Sequence, residues 1–275
     1  MIGLGLIGGS VARDLAAQGV AVSAFDADPA QLDAALRDGV VSCALDHTLC
    51  EVENCEIVVI AVPVDAALDV LRRIAPFVSA PSAKTILVTD VGSTKRRIVS
   101  LATELGVGPL FVGSHPMAGD HRSGWSASRA GLFENAPVYL TRSADSSPSA
   151  IVLATTLWAE LGARTIEMDA GEHDEKLAWT SHLPHMIAAT LALSLARGGV
   201  GREELGPGGR DMTRIAGSSP EMWTAIAMDN AEAIDATLAA AEGEIARFRA
   251  GLRARDEDSV RAQFVAARAW FDAMR

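Results

Sequence analysis

Met1-Ile2-Gly3-Leu4-Gly5-Leu6-Ile7-Gly8-Gly9-Ser10 is the stretch on which the fold turns. Gly3, Gly5 and Gly8 have the spacing GxGxxG, and a helical pattern runs on over residues 9–18. Glycines so spaced allow a tight turn and let the backbone close on a pyrophosphate. The free N–H groups and partial positive charge of the helix start then face that anion. Spacing alone also suits a purely structural turn, but the next segment narrows the choice. Residues 20–25 read as a strand ending at Asp26, 18 residues after Gly8. A carboxylate at that place accepts hydrogen bonds from an adenosine ribose. It also repels a 2′-phosphate, and no Arg or Lys follows it before Arg37, so NAD is expected rather than NADP. The bland alternative for Asp26 is a solvated strand end before a turn. A central strand ordinarily has about five residues. Only Met1 and Ile2 precede the glycines here, so a truncated first strand and a missing N-terminal segment are expected.

Outward from this start, β-rich runs alternate with helical ones. Asp28 caps a helix that has Pro29 at its first position and extends to Arg37. Residues 57–62 form a continuous apolar run, as in a strand buried on both faces. A helix over 65–75, a strand over 85–89, a helix opened by Ser93 or Thr94 and a strand over 110–113 follow. A helix over 148–161 and a strand over 164–168 close this half. The alternation predicts an α/β Rossmann-type N-terminal domain, residues 1–169. Residues 170–275 show only the 3.6-residue period of helices. One helix is expected over 172–197, kinked at Pro184 and ended by Gly198-Gly199. A short helix holds Arg210 and Arg214, Ser219-Pro220-Glu221 starts a helix to about residue 253, and residues 256–274 form the last. Long helices with little surface to share within one chain suggest an all-α domain that pairs across a two-fold axis.

Of the 275 residues, 49% are hydrophobic, and 24 Lys+Arg stand against 35 Asp+Glu for a net charge of −11. That balance disfavours nucleic acid as a partner. No apolar run is long enough to span a membrane, and residues 1–22 lack the basic start of a signal peptide. Cys43, Cys50 and Cys55 match neither a disulfide framework nor a metal knuckle, so a reduced, cytoplasmic protein is expected.

Two loops carry candidate chemistry: Asp90-Val91-Gly92-Ser93-Thr94-Lys95 and Gly113-Ser114-His115-Pro116-Met117-Ala118-Gly119. Both follow strands, and doubly wound sheets bind ligands beyond strand carboxyl ends. His115 there is suited to accept a proton near neutral pH, with a packed loop histidine as the alternative. His182 and His185 stand at i, i+3, and Arg210 and Arg214 at i, i+4. The arginines suit a solvated stripe or a positive pocket for an anion. A metal at His173, Asp174 and His185 would need further ligands, and Asp174 equally suits a helix cap. Trp179, Met186, Met222 and Met228 read as core or dimer interface.

GLGLIGGS at 3–10, DVGSTK at 90–95, GSHPMAG at 113–119, LFENAPVYLT at 132–141, SHLPH at 181–185 and TRIA at 213–216 occur in this order. Together they resemble the prephenate/arogenate dehydrogenases, the TyrA family of tyrosine biosynthesis, over essentially the whole chain. The resemblance implies a Rossmann domain joined to a helical domain that forms a homodimer. It implies NAD-dependent oxidative decarboxylation of prephenate to 4-hydroxyphenylpyruvate, or of arogenate to tyrosine. His115 would take the substrate hydroxyl proton, Ser93 would hydrogen-bond His115, and Arg214 would bind a substrate carboxylate. His185 and Trp223, the latter from either subunit, would line the substrate. Ser114 is a further substrate-site candidate, and Leu6, Ile7 and Val62 join Gly3, Gly5, Gly8 and Asp26 as cofactor-site candidates. Asp120-His121-Arg122 departs from the Thr-Glu pair of many relatives, which leaves prephenate, arogenate and 4-amino-4-deoxyprephenate open. A β-hydroxyacid dehydrogenase would carry Asn four residues after its Lys, whereas Lys176 is followed there by Thr180. A non-enzymatic NAD-sensing dimer is the remaining alternative. No appended regulatory domain is expected.

Overall fold

The glycine turn opens directly into α1 (Leu6–Ala17). The chain continues through β1 (Ser23–Ala24), α2 (Pro29–Arg37), β2 (Cys43–Ala44), β3 (Ile57–Ile60), α3 (Val64–Val78) and β4 (Leu87–Asp90). After these come α4 (Arg96–Glu104), β5 (Val112–Pro116), β6 (Pro137–Arg142), α5 (Pro148–Glu160) and β7 (Arg164–Met168). The structure, a computed structural model, describes residues 1–119 and 122–273. Asp120 and His121, singled out by the sequence, lie outside the described residues.

β1 pairs with β2 and β3 with β4, all parallel, while β6 lies antiparallel to β5 and parallel to β7. Single bridges join these ladders: Ile2 to Phe25 and to Ile60, and Val88 to Phe111. The sheet centre is therefore Ile2 itself. Its N–H reaches the Val59 carbonyl (2.9 Å), and its carbonyl takes the Ala61 N–H (2.7 Å). Side chains alternate along a strand, so the two faces feed two cores. Val59 and Leu87 pack with Leu4, Val11, Phe133 and Trp158. Val58, Ile60 and Val88 pack on the other face with Leu71, Ile74 and Phe111. A side chain as fully buried as Leu71 contributes about 1.5–3 kcal/mol. The β5–β6 register sets His115 opposite Tyr139, so His115 lies within the strand rather than in a loop after it.

The second half is all helical: α6 (Ala170–Leu177), a π-helical turn (Ala178–His182), α7 (Leu183–Arg197), α8 (Pro207–Thr213), α9 (Pro220–Asp229), α10 (Ala231–Ala254) and α11 (Glu257–Asp272). The expected kink at Pro184 takes the form of that π turn. Proline has no N–H to offer the preceding turn, and the wider turn absorbs the mismatch. The expected helix from Ser219 is split at Asn230 (φ −116°, ψ 35°), whose buried amide bonds groups on α6 and the π turn instead. Arg214 starts a separate 3-10 turn after α8 rather than sharing that helix with Arg210. Ser219 caps α9 through Met222 N–H, and Asp256 caps α11 through Ser259 N–H. Trp179, Met222 and Met228 are exposed, not core, and Leu252, Phe264, Val265 and Trp270 join them on the surface. Among the described residues, no helix is long and apolar enough to cross a membrane.

Candidate active site

The glycine turn forms one wall of a cleft of about 480 Å³. Gly3 has φ +95°, and a Cβ there would stand 2.4 Å from the Ala61 carbonyl oxygen and 2.9 Å from Val62 Cγ1. At Gly8 a Cβ would meet the Gly3 carbonyl oxygen at 2.2 Å, so this glycine is needed for helix packing. Around Gly5 a Cβ would meet nothing within 4 Å. Local packing does not require glycine at that position, while a ligand approaching the backbone does. Gly5 also provides no side-chain cap for α1, leaving its first N–H groups to face the cleft. Asp26 lines the cleft and accepts from Leu4 N–H (2.6 Å) and Asp28 N–H (2.8 Å), which ties the end of β1 to the turn. Val62 is half-buried in the cleft wall. Leu6 and Ile7 face the loop after β5, where a Cβ on Gly119 would lie 3.6 and 3.8 Å from them. These residues fit a dinucleotide. Gln31, Asp69 and Arg73 line the same cleft. Sequence reading missed Arg73 because it comes from α3, not from the strand end that carries Asp26.

Farther along the sheet, beyond β3 and β4, β5 presents His115, only 9% exposed. Its Nδ1 lies 2.9 Å from His173 Nε2, and His173 Nδ1 lies 2.8 Å from Asp174 Oδ1. Burial, followed by the repulsion of His173, Lys95 and His182, holds His115 well below the usual imidazole range. Burial also lowers His173, partly opposed by its hydrogen bond to Asp174. Both rings are thus neutral at pH 7. An ionised carboxylate only accepts, so His173 Nδ1 carries its proton and His173 Nε2 accepts from His115 Nδ1–H. The lone pair of His115 is then on Nε2. Asp174 also accepts Lys95 N–H (2.8 Å) and Arg96 N–H (2.9 Å). It therefore caps α4, a task expected of Ser93 or Thr94. Burial opposes its charge, but hydrogen bonds from His173 and the two backbone N–H groups outweigh that and hold its carboxyl below the usual carboxylate range. Thr94 instead donates to Asp229 (2.6 Å), which also pairs with Arg97 (2.6 Å).

Two sequence candidates are placed differently from expectation. Ser93 is half-buried, and among the described residues its hydroxyl makes no hydrogen bond to His115, whose Nδ1 is taken by His173. Ser114 is fully buried, its hydroxyl 2.8 Å from both Trp158 Nε1 and Thr89 Oγ1. Strand alternation turns it to the opposite face from His115, into the core, so it does not face the histidine cluster.

The helical half closes the site. His185 stacks on Trp223 (centroids 3.8 Å apart, 23° between planes), and His182 meets the same indole edge-on at 5.9 Å. Burial pushes His182 down to about 4 and lowers His185, which also hydrogen-bonds the Ile215 backbone and is repelled by Arg214. Asn230, absent from the sequence candidates, donates to the Asp174 carbonyl (2.8 Å) and to His182 Nδ1 (3.3 Å). It thereby links the tryptophan cluster to the His115 relay. Arg214, exposed, adds a guanidinium beside His185. The whole offers a neutral proton acceptor, an aromatic wall and a cation for a carboxylate, in a chain whose glycine turn walls a separate cleft that fits a nucleotide.

Comparison with known proteins finds matches along both halves of the chain. The family model described as prephenate dehydrogenase, nucleotide-binding domain, matches residues 11–167, and that of its dimerization domain matches residues 169–266. A prephenate dehydrogenase of Bacillus subtilis is 37% identical over 85% of this chain, and the chain spans 64% of that relative's length. A cyclohexadienyl dehydrogenase of Zymomonas mobilis is 33% identical over 94% of this chain and 89% of its own. The crystal structure of prephenate dehydrogenase from A. aeolicus, in complex with hydroxyphenyl propionate and NAD+, superposes with a TM-score of 0.88. It is 26% identical and covers 100% of this chain and 96% of its own.

Proposed function

The chain belongs to the prephenate dehydrogenase family, and from that premise we propose that it oxidatively decarboxylates a cyclohexadienyl acid, prephenate or arogenate, with NAD. The observation that carries this reading is the hydrogen-bonded line His115–His173–Asp174, which leaves an unprotonated Nε2 on β5, in the same sheet as the glycine turn. The exposed apolar residues of α9, α10 and α11 support a homodimer through the helical domain.

Gly3, Gly5, Gly8, Asp26 and Val62 would hold the dinucleotide, with Leu6 and Ile7 between it and the β5 loop. When bound, its nicotinamide supplies the hydride acceptor. His115 Nε2 accepts the proton of the substrate C4 hydroxyl as hydride leaves C4, giving a C4–O double bond. The bond to the ring carboxylate then breaks, carbon dioxide leaves, and its electron pair completes the aromatic ring. His115 returns its proton to the ring oxygen, so the base is regenerated. One hydride and one carbon dioxide are released per substrate. His173 and Asp174 are positioning residues that fix the His115 tautomer. Arg214 pairs with a substrate carboxylate in the bidentate geometry that guanidinium favours, and His185 and Trp223 wall the ring.

Replacing Arg214 with Ala should raise KM about 10–100-fold with little change in NAD affinity, the loss expected for a charge-assisted hydrogen-bonded pair. An unchanged KM alongside weaker NAD binding would give Arg214 another role. At the cofactor end, Asp26→Ser combined with Ala27→Arg should lower the kcat/KM preference for NAD over NADP about tenfold or more, since a repulsive carboxylate becomes a cation. An unaltered preference means that Asp26 does not face the ribose. Assaying prephenate and arogenate, each with NAD and with NADP, tests the reaction itself.

A further inference from the structure

We propose that the buried Lys95–Asp90 ion pair is a positioning device for the reaction: its ammonium keeps the His115 ring in the proton-accepting form. Lys95 is 0% and Asp90 1% exposed, and Lys95 Nζ donates to Asp90 Oδ2. The same oxygen takes Gly92 N–H (2.8 Å), while Asp90 Oδ1 is buried without a hydrogen-bond partner among the described residues. A buried ion pair is poor value as a stabiliser, because desolvation offsets most of its attraction. Its location gives it another use.

The pair lies on the His115 face of β5. Gly113 and His115 are two residues apart in the strand and so share that face. A Cβ on Gly113 would stand 3.0 Å from Lys95 Cδ and 3.2 Å from Asp90 Oδ1, so the missing side chain makes room for the pair. The Lys95 backbone N–H binds the Asp174 oxygen that also takes His173 Nδ1–H. Lys95 is thus fixed against the relay at its backbone and lies under the strand with its side chain.

Among the described residues, the other groups around the ring do not supply this charge. From α6, His173 is held neutral by burial, Asp174 is committed to three donors, and Lys176 is exposed over the Tyr139 ring of β6. From the π turn, His182 is neutral as well. Asp90 faces the ammonium it pairs with. Burial is the first cause that holds His115 neutral, and the repulsion of the Lys95 ammonium adds to it, whereas His173 and His182 would repel only when protonated.

The proposal rests on His115 being the base, so its test reads the ring as well as turnover. The ring proton of His115, assigned by its loss in His115→Asn, is followed by NMR across pH in wild type, Lys95→Met and Lys95→Arg. The titration midpoint in Lys95→Met should rise by about one pH unit or more, and the acid limb of kcat/KM should rise with it. Lys95→Arg should leave both near wild type. Because Lys95→Met strands the Asp90 carboxylate, Asp90→Asn/Lys95→Met, which buries neither charge, is read in the same way. An unmoved midpoint in both variants overturns the proposal, whatever happens to turnover. A midpoint that rises in a protein inactive on both acids supports the device and defeats only the reaction assignment.

Discussion

His115→Asn should lower kcat about 10²–10⁴-fold, the range for loss of a general base. Asn is close to the histidine in size and still offers an amide N–H toward His173 Nε2, so the His173–Asp174 arrangement survives. What is lost is the lone pair on Nε2 that faces the substrate. The dinucleotide cleft, built from the glycine turn, β1 and α3, does not include His115, so NAD affinity should stay within about twofold, under 0.5 kcal/mol. Stopped-flow turnover alongside calorimetric NAD binding separates the two. Near-wild-type turnover would remove His115 from the chemistry.

The second large effect belongs to Asp174, which serves two structures at once. Asp174→Asn keeps one acceptor oxygen but turns an NH2 group toward donors. If the oxygen kept is the one that takes Arg96 N–H, the NH2 group faces Lys95 N–H and His173 Nδ1–H, so His173 loses its acceptor and the tautomers of His173 and His115 are no longer fixed. We expect kcat to fall about 10²–10³-fold, less than or equal to the loss of the base itself. The same change weakens the cap of α4 and leaves buried donors poorly matched, lowering stability by about 2 kcal/mol. The sign with pH follows from the lowered carboxyl pKa. The stabilisation from the Asp174 charge is fully present above the ordinary value of 3.8 and is lost as pH falls through the lower folded value. Wild type should therefore keep this advantage over Asp174→Asn at pH 7 and lose it only below pH 3.8. Chemical denaturation at both pH values reads the gap. A kcat unchanged in a folded variant would leave Asp174 as a helix cap alone.

Features written in neighbouring residues were legible in the sequence. The GxGxxG turn, the Asp28 cap of α2, the Ser219 cap of α9 and the Arg164–Met168 strand each depend on a few adjacent side chains. The relay was not, because it joins residues distant in the chain. His115 and His173 are 58 positions apart, and Lys95 and Asp174 are 79. Nothing near Ser93 or Thr94 indicates that the cap of α4 comes from another helix. The Ser114 error has a different origin. Ending the strand at residue 113 puts Ser114 and His115 together in a loop, whereas a strand running to Pro116 sends them to opposite faces. Asn230 hides in a helical pattern, and only its buried partners explain the break between α9 and α10.

The central claim is that a neutral His115, on the same sheet as the dinucleotide cleft, drives oxidation with loss of carbon dioxide. Its most direct test is the stoichiometry of reduced NAD and carbon dioxide formed by purified wild-type protein from prephenate and from arogenate. One reduced NAD and one carbon dioxide for each molecule of at least one acid is the expected result. Formation of neither product from either acid, in a protein that binds NAD, would contradict it.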